Sequence, residues 1–161
     1  MGMRRSRVCI AFGFPHLLPL VDWEGNEGCG FLVGDGTTIT DVWPTPSLRP
    51  SPSSYSIGRK AWRAAALRAK REGLVLMGSI HTHPDGPPGP SDVDLEIATR
   101  LRPHEYRAVC RPPGDLFLGH FAQAALAQNG RRLVRWHAQI KQLDAECLYE
   151  LIQGTGDVSA Q

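Results

Sequence analysis

Two histidines two residues apart, His81 and His83, are followed after a proline-rich break by Ser91 and Asp94, in the run I-H-T-H-P-D-G-P-P-G-P-S-D-V-D from Ile80 to Asp94. Two imidazoles and one carboxylate are a common ligand set for a zinc ion that keeps a fourth position open to water, which is the pattern of a catalytic rather than a structural metal. Such chemistry needs one further group, a base beside that water.

The elements that must position these residues follow from the local pattern. Residues 74–80, L-V-L-M-G-S-I, are an apolar run that reads as a buried strand. The side-chain period of a strand is two, so the imidazoles of His81 and His83 leave the same face. Four prolines and two glycines between His83 and Ser91 make a stiff loop without a hydrogen-bonded ladder. Ser91 and Asp94 are three apart at an expected helix start and share a helix face. Each feature has an ordinary reading as well. Ser91-x-x-Asp94 resembles a helix N-terminal capping arrangement, and a single histidine at a strand end is usually a satisfied polar residue. The four positions together, spaced H-x-H-P-x6-S-x2-D, favour the metal.

The chain of 161 residues suits one domain with a sizeable core, expected over residues 1–153 with a loose tail at 154–161. Its hydrophobic content of 42% and charged content of 21% are those of a globular protein. A net charge of +2 gives no global reason to expect nucleic acid. Arg59, Lys60, Arg63, Arg68, Lys70 and Arg71 cluster, and on a helix they form a solvated face rather than a docking surface for an acidic partner. Cys9, Cys29, Cys110 and Cys147 are scattered without a C-x-x-C, and read as reduced thiols of a cytoplasmic protein. The apolar stretch 8–21 after a basic start loosely imitates a signal peptide, but Pro15, His16 and Pro19 interrupt it and no small-residue cleavage site follows. It is also too short and broken to span a membrane, and Met1-Gly2 with Ser6 matches a myristoylation pattern only by chance.

In chain order, strands are expected at residues 7–14, 28–34, 37–43, 74–80, 106–110, 116–122 and 132–140. Asp35-Gly36 signals a hairpin turn. Helices are expected at 15–23, limited by Pro19, at 59–72 with Trp62, Ala65, Ala66 and Ala69 inward, at 92–101, and at 145–153. The proline- and serine-rich stretch 44–56 reads as a loop that is either mobile or in contact with substrate. Strands and helices mix without strict alternation, which gives a mixed sheet with helices packed against it, in the α+β or α/β range.

Glu24 and Glu27 are the upstream candidates for the base. Glu27 directly precedes G-C-G-F-L-V-G, residues 28–34. With this segment the chain resembles the JAMM (MPN-plus, JAB domain) metalloproteases of prokaryotic type, which carry E-x-C-G-x-L-x-G followed by H-x-H-P-x6-S-x2-D. Only these two segments are specific, although the order of elements agrees from about Cys9 to about Ile140. The resemblance implies a curved mixed β-sheet flanked by helices, similar to the cytidine deaminases. It implies His81, His83 and Asp94 as zinc ligands, Glu27 as general acid/base, and Ser91 as hydrogen-bond donor to the tetrahedral intermediate. It also implies Zn2+ as cofactor and the tail of a ubiquitin-like or sulfur-carrier protein as substrate, cut after its C-terminal Gly-Gly. Compared with the family, Pro19 and Gly25 break the first helix, Thr82 stands for the more frequent serine, and no long insertion follows Asp94. Glu24 reads as a surface acid, Cys29 as a small residue buried under the strand rather than a reactive thiol, and His16, His104, His120 and His137 as surface or strand residues.

Other chemistries fit less well. Phosphoesterases and amidohydrolases with H-x-H motifs need further ligands and a barrel of about 200 residues or more. A nucleoside deaminase needs H-x-E with a later P-C-x-x-C, and neither is present. A catalytically inactive MPN scaffold would usually have lost ligands, and here all are kept. A JAMM peptidase in a phage-tail or antiphage-defence setting would carry the same residues.

Overall fold

The computed structural model describes residues 4–12, 14–86, 91, 94, 106–111, 115–126, 132–140 and 148–157. Among them are eight strands: β1 (Arg4–Ile10), β2 (Cys29–Gly34), β3 (Thr38–Thr45), β4 (Val75–Thr82), β5 (Tyr106–Arg111), β6 (Asp115–Leu126), β7 (Arg132–Ile140) and β8 (Leu148–Asp157). Helices are α1 (Phe14–Leu17), a 3-10 turn (Leu18–Leu20) and α2 (Arg59–Arg71). The strands lie in the order β1-β3-β2-β4-β5-β6-β7-β8, and β8 pairs back onto β1. β1–β3 and β4–β5 are parallel and the other pairs antiparallel. The fold is thus the expected mixed α/β architecture, a curved mixed sheet that curls until it closes.

Local chemistry accounts for the hairpin β2–β3. Gly36 takes φ 101°, a left-handed conformation that costs glycine little. Asp35 Oδ1 accepts the N–H groups of Thr37 at 2.8 Å and Thr38 at 2.6 Å, as turn-forming aspartates do. Those bonds hold the Asp35 carboxyl below its usual range. β3 runs on to Thr45 with Pro44 inside it. The proline is tolerated because, among the described residues, β1 registers with β3 only at Thr38 and Ile39, so the far end of β3 has a ladder on one side there.

β2 is buried throughout, which explains its unbroken apolar and glycine composition. On one face α2 packs through Ala61, Trp62, Ala65 and Ala69 against Phe31, Val33 and Trp43. The Phe31 and Trp62 rings meet edge-to-face at 4.9 Å, a contact that contributes about 0.5–1.5 kcal/mol beyond burial. Arg68 lies 3.9 Å over the Trp43 ring. On the other face Leu20 reaches Gly30, where a Cβ would come within 3.0 Å of its methyl group.

Four expectations need correction. Ala66 is exposed, and Ala61 takes its place, because 61, 65 and 69 recur every four residues while 66 falls off that stripe. The first strand ends at Ile10, and Phe14 already belongs to α1. The helix expected over 15–23 is only α1 and the 3-10 turn, since Pro19 lacks the N–H that continuation needs. The C-terminal helix expected over 145–153 is a strand from Leu148, and β8 continues to Asp157, into the stretch expected as a tail. Its apolar residues fit either period, and the free edges of β1 and β7 decide the outcome by pairing with it. The helix expected over 92–101 lies outside the described residues except for Asp94, which is helical.

Candidate metal centre

β4 and β5 are parallel neighbours, so the chain must cross over between them. His81 and His83 stand at the carboxyl end of β4, where that crossover departs, and Ser91 and Asp94 lie within it. Open ends of this kind are where ligands bind in sheets with parallel crossovers. β2 runs antiparallel to β4 with Cys29 opposite His81. The residue just before β2, Glu27, is therefore delivered to the same end.

Two hydrogen bonds lock that junction. Thr82 N–H donates to Gly28 O at 2.9 Å, and Gly28 N–H donates to Thr82 Oγ1 at 2.8 Å. Gly28 has no room for a side chain, because a Cβ there would sit 1.6 Å from Leu20 O. The hydroxyl at position 82 thus holds the backbone beside the candidate base, a role that serine would also fill. Thr82→Val is expected to orphan the Gly28 N–H and to destabilise the protein by about 1–3 kcal/mol, with Thr82→Ser near wild type. Denaturant unfolding of both variants checks this.

The donor atoms converge. His81 Nε2 and His83 Nε2 are 3.1 Å apart. Asp94 Oδ1 lies 3.2 Å from His81 Nε2, and Asp94 Oδ2 lies 3.2 Å from His83 Nε2. Glu27 Oε1 is 3.8 Å from His83 Nε2. Glu27, His81 and His83 are buried and form a group that could hold a metal ion. With Asp94 ionised, as its lowered affinity for protons favours, protons alone cannot satisfy the histidine–aspartate triangle. If both Nε2 atoms carry hydrogen and donate to Asp94, two donors face each other; if one is bare, its lone pair faces a carboxylate oxygen. A cation removes the conflict, and the observed separations approach the ~3.3 Å edge of a tetrahedron with zinc-like bonds of about 2.0–2.1 Å.

Ser91 and Asp94 also form a reciprocal cap. Asp94 N–H donates to Ser91 Oγ at 3.1 Å and Ser91 N–H donates to Asp94 Oδ2 at 2.8 Å. The capping reading is thus realised, and the same cap aims the Asp94 carboxylate at the histidines. A loss of stability on removing the Ser91 hydroxyl would not separate the two roles.

Electrostatics divides the two carboxylates. Burial pushes Glu27 up to about 7, with His83 pulling down and Asp94 pushing up by smaller amounts. Burial would also raise Asp94, but hydrogen bonds with His81 and His83 outweigh it and hold the carboxyl well below the usual range. Two neighbouring acids, Glu27 buried and Asp94 half-buried, with opposite tendencies are the arrangement by which a site separates a base from a fixed anion. Cys29 is buried, its Sγ donating to Thr45 O at 3.3 Å. Burial, then the Glu27 charge, push this thiol up to about 11, which suits packing and not reactivity.

Glu24 is exposed, as expected, and its N–H donates to Asp22 Oδ1 at 2.7 Å. His16 is exposed, His120 and His137 lie on β6 and β7, and His104 lies outside the described residues. A cleft of about 660 Å³ opens beside Glu27, walled by Pro19–Glu24 on one side and by Pro44–Ser47 and Pro50 on the other. Three contributions were not signalled by the motifs: Thr82 Oγ1, the Ser51 carbonyl that accepts Glu27 N–H at 2.8 Å, and Tyr55, whose ring stacks on His81. For Ser51 and Tyr55 the sequence offered only the proline- and serine-rich stretch 44–56, read as a loop either mobile or in contact with substrate.

Comparison with known proteins gives the family and the fold. The family described as "Prokaryotic homologs of the JAB domain" matches residues 20–137. A "Probable TtuB-protein conjugate cleaving protease" of Thermus thermophilus is 37% identical over 74 residues, 45% of this chain and 49% of that protein. A "Desampylase" of Pyrococcus furiosus is 31% identical over 80 residues, 50% of this chain and 57% of its own length. The chain thus spans about half the length of the curated relatives it matches. A solution structure of a Desulfitobacterium hafniense protein superposes with TM-score 0.56 at 23% identity, covering 84% of this chain and 87% of that one, and shares the fold.

Proposed function

Because the chain belongs to the prokaryotic homologs of the JAB domain, we propose that it is a zinc-dependent protease of the JAMM type. It hydrolyses peptide or isopeptide bonds at the C-terminal Gly-Gly end of a ubiquitin-like or sulfur-carrier protein. The observation that carries this reading is the convergence of His81, His83, Asp94 and Glu27 at one end of β4. An inactive scaffold has no need to bury Glu27, His81 and His83 together beside a half-buried Asp94. The names of the relatives from Thermus thermophilus and Pyrococcus furiosus support a conjugate as substrate.

His81, His83 and Asp94 would hold the ion, which supplies Lewis-acid activation of water and of the scissile carbonyl. The residues do the remainder. Glu27 accepts a proton as the nucleophile forms and returns it to the leaving amine. Its raised affinity for protons matches that task, although a divalent cation beside it would pull the value down again. Ser91 Oγ accepts the Asp94 N–H and keeps its own proton for the developing oxyanion. The cleft beside Glu27 gives an extended tail a route to the base.

Protein purified without chelator is expected to contain about one zinc per chain by elemental analysis. Removal with a chelator is expected to abolish cleavage of a ubiquitin-like protein bearing a C-terminal extension, and added zinc to restore it. Absence of zinc even after reconstitution would defeat the proposal.

A further inference from the structure

Tyr55 lies in the proline- and serine-rich loop, outside both motifs, yet its ring stacks on the His81 imidazole with 4.3 Å between centroids and 23° between planes. We infer that the segment from Ser51 to Tyr55 braces the metal centre, and that Tyr55 is a positioning residue for His81. The inference rests on the metal reading above.

A ligand imidazole is useful only while its ring plane keeps Nε2 on the ion, and small rotations spoil that aim. His81 has Tyr55 against its face, and the His83 ring meets it at 61° with 4.9 Å between centroids. Tilting of the His81 ring out of its plane on the stacked side would drive it into Tyr55. Tyr55 is in place to do this because His81 and Phe31 share a sheet face. Cys29 registers with His81, and Phe31 with Ser79, two residues along the same strands. Phe31 packs on Trp62 of α2, so the chain entering α2 runs over the histidine side of the sheet.

The loop is not a free tether. Leu48 N–H donates to Ser56 O at 2.9 Å, and Ser56 N–H donates to Ser47 Oγ at 3.0 Å, which closes its neck directly beside Tyr55. At the other end Ser51 sits between Pro50 and Pro52. Each proline fixes its own φ and the second restricts Ser51, so the Ser51 carbonyl is presented with little freedom. That carbonyl receives Glu27 N–H at 2.8 Å. One stiff segment therefore touches the backbone of the base and the ring of a ligand. It sets the distance between Glu27 and His81 by a second path, independent of the β2–β4 ladder.

The test measures zinc affinity by chelator competition, and the visible spectrum of the cobalt(II)-loaded protein, for the full chain and three variants. Tyr55→Phe keeps the ring and is expected to match wild type in both. Tyr55→Leu and Tyr55→Met fill the space without a planar ring, and are expected to bind zinc about 10- to 100-fold more weakly, with an altered cobalt spectrum. Two such variants guard against one that fails to fold, which thermal melts detect. Wild-type zinc affinity and cobalt spectrum in a folded Leu or Met variant would overturn the brace, whatever its melting temperature, and would reduce Tyr55 to a packing residue. Wild-type protein that binds no zinc would instead overturn the metal reading, and the brace with it.

Discussion

Glu27→Gln is expected to keep its zinc and lose hydrolysis. Glutamine matches glutamate in shape, so the buried pocket and the Glu27 N–H bond to Ser51 O remain. What disappears is the ability to take and return a proton. A positioned general base contributes on the order of 10²- to 10⁴-fold, so turnover should fall by that factor or more. Geometry leaves one competing role: Glu27 lies close enough to His81 and His83 to act as a ligand itself. The variant separates the two, because a base can be neutralised without loss of metal and a ligand cannot. Zinc content measured beside turnover gives the answer. Wild-type turnover would show that Glu27 is not the base, whereas loss of zinc together with activity would make it a ligand.

Asp94→Ala and His83→Ala are each expected to weaken zinc binding by more than ~100-fold, beyond the cost typical of residues that only support a ligand. Asp94 carries two tasks, since the same carboxylate faces both histidines and accepts Ser91 N–H. Asp94→Asn separates them. The amide oxygen still accepts that N–H, so the cap and its roughly 1 kcal/mol of helix stability survive, while the negative charge that the ion needs is lost. Asn at this position should therefore fold like wild type and bind zinc poorly. Ala should lose both. His83→Ala should lose metal and keep its strand end, since the backbone bond of His83 to Cys110 O at 2.9 Å does not depend on the ring. Unchanged zinc affinity in both Asp94→Ala and His83→Ala would remove the site from this end of β4.

Much of the site was legible because it is written in short-range chemistry. Strand period places the imidazoles of His81 and His83 on one face, helix-start chemistry pairs Ser91 with Asp94, and turn residues mark Asp35-Gly36. These effects act over a few residues and need no knowledge of the rest of the chain. The same locality misled at the C-terminus. Leu148 to Gln153 carries apolar residues that suit a helix, and only the open edges of β1 and β7 turn it into a strand. Ala66 failed for a subtler reason: an alanine stripe one residue wide looks the same from either side until a partner surface chooses.

By itself, the sequence determined which residue types stand in ligand-like spacing, where the hairpin turns, and that a glutamate precedes the apolar β2. Tertiary structure decided that these segments meet. Thr82 and Gly28 bond across 54 residues of chain, and Tyr55 reaches His81 from a loop that carries no motif. The orientation of a ligand ring depends on such distant neighbours. Strand pairing and packing bring them together, and no periodicity along the chain encodes which loop will lie over which histidine.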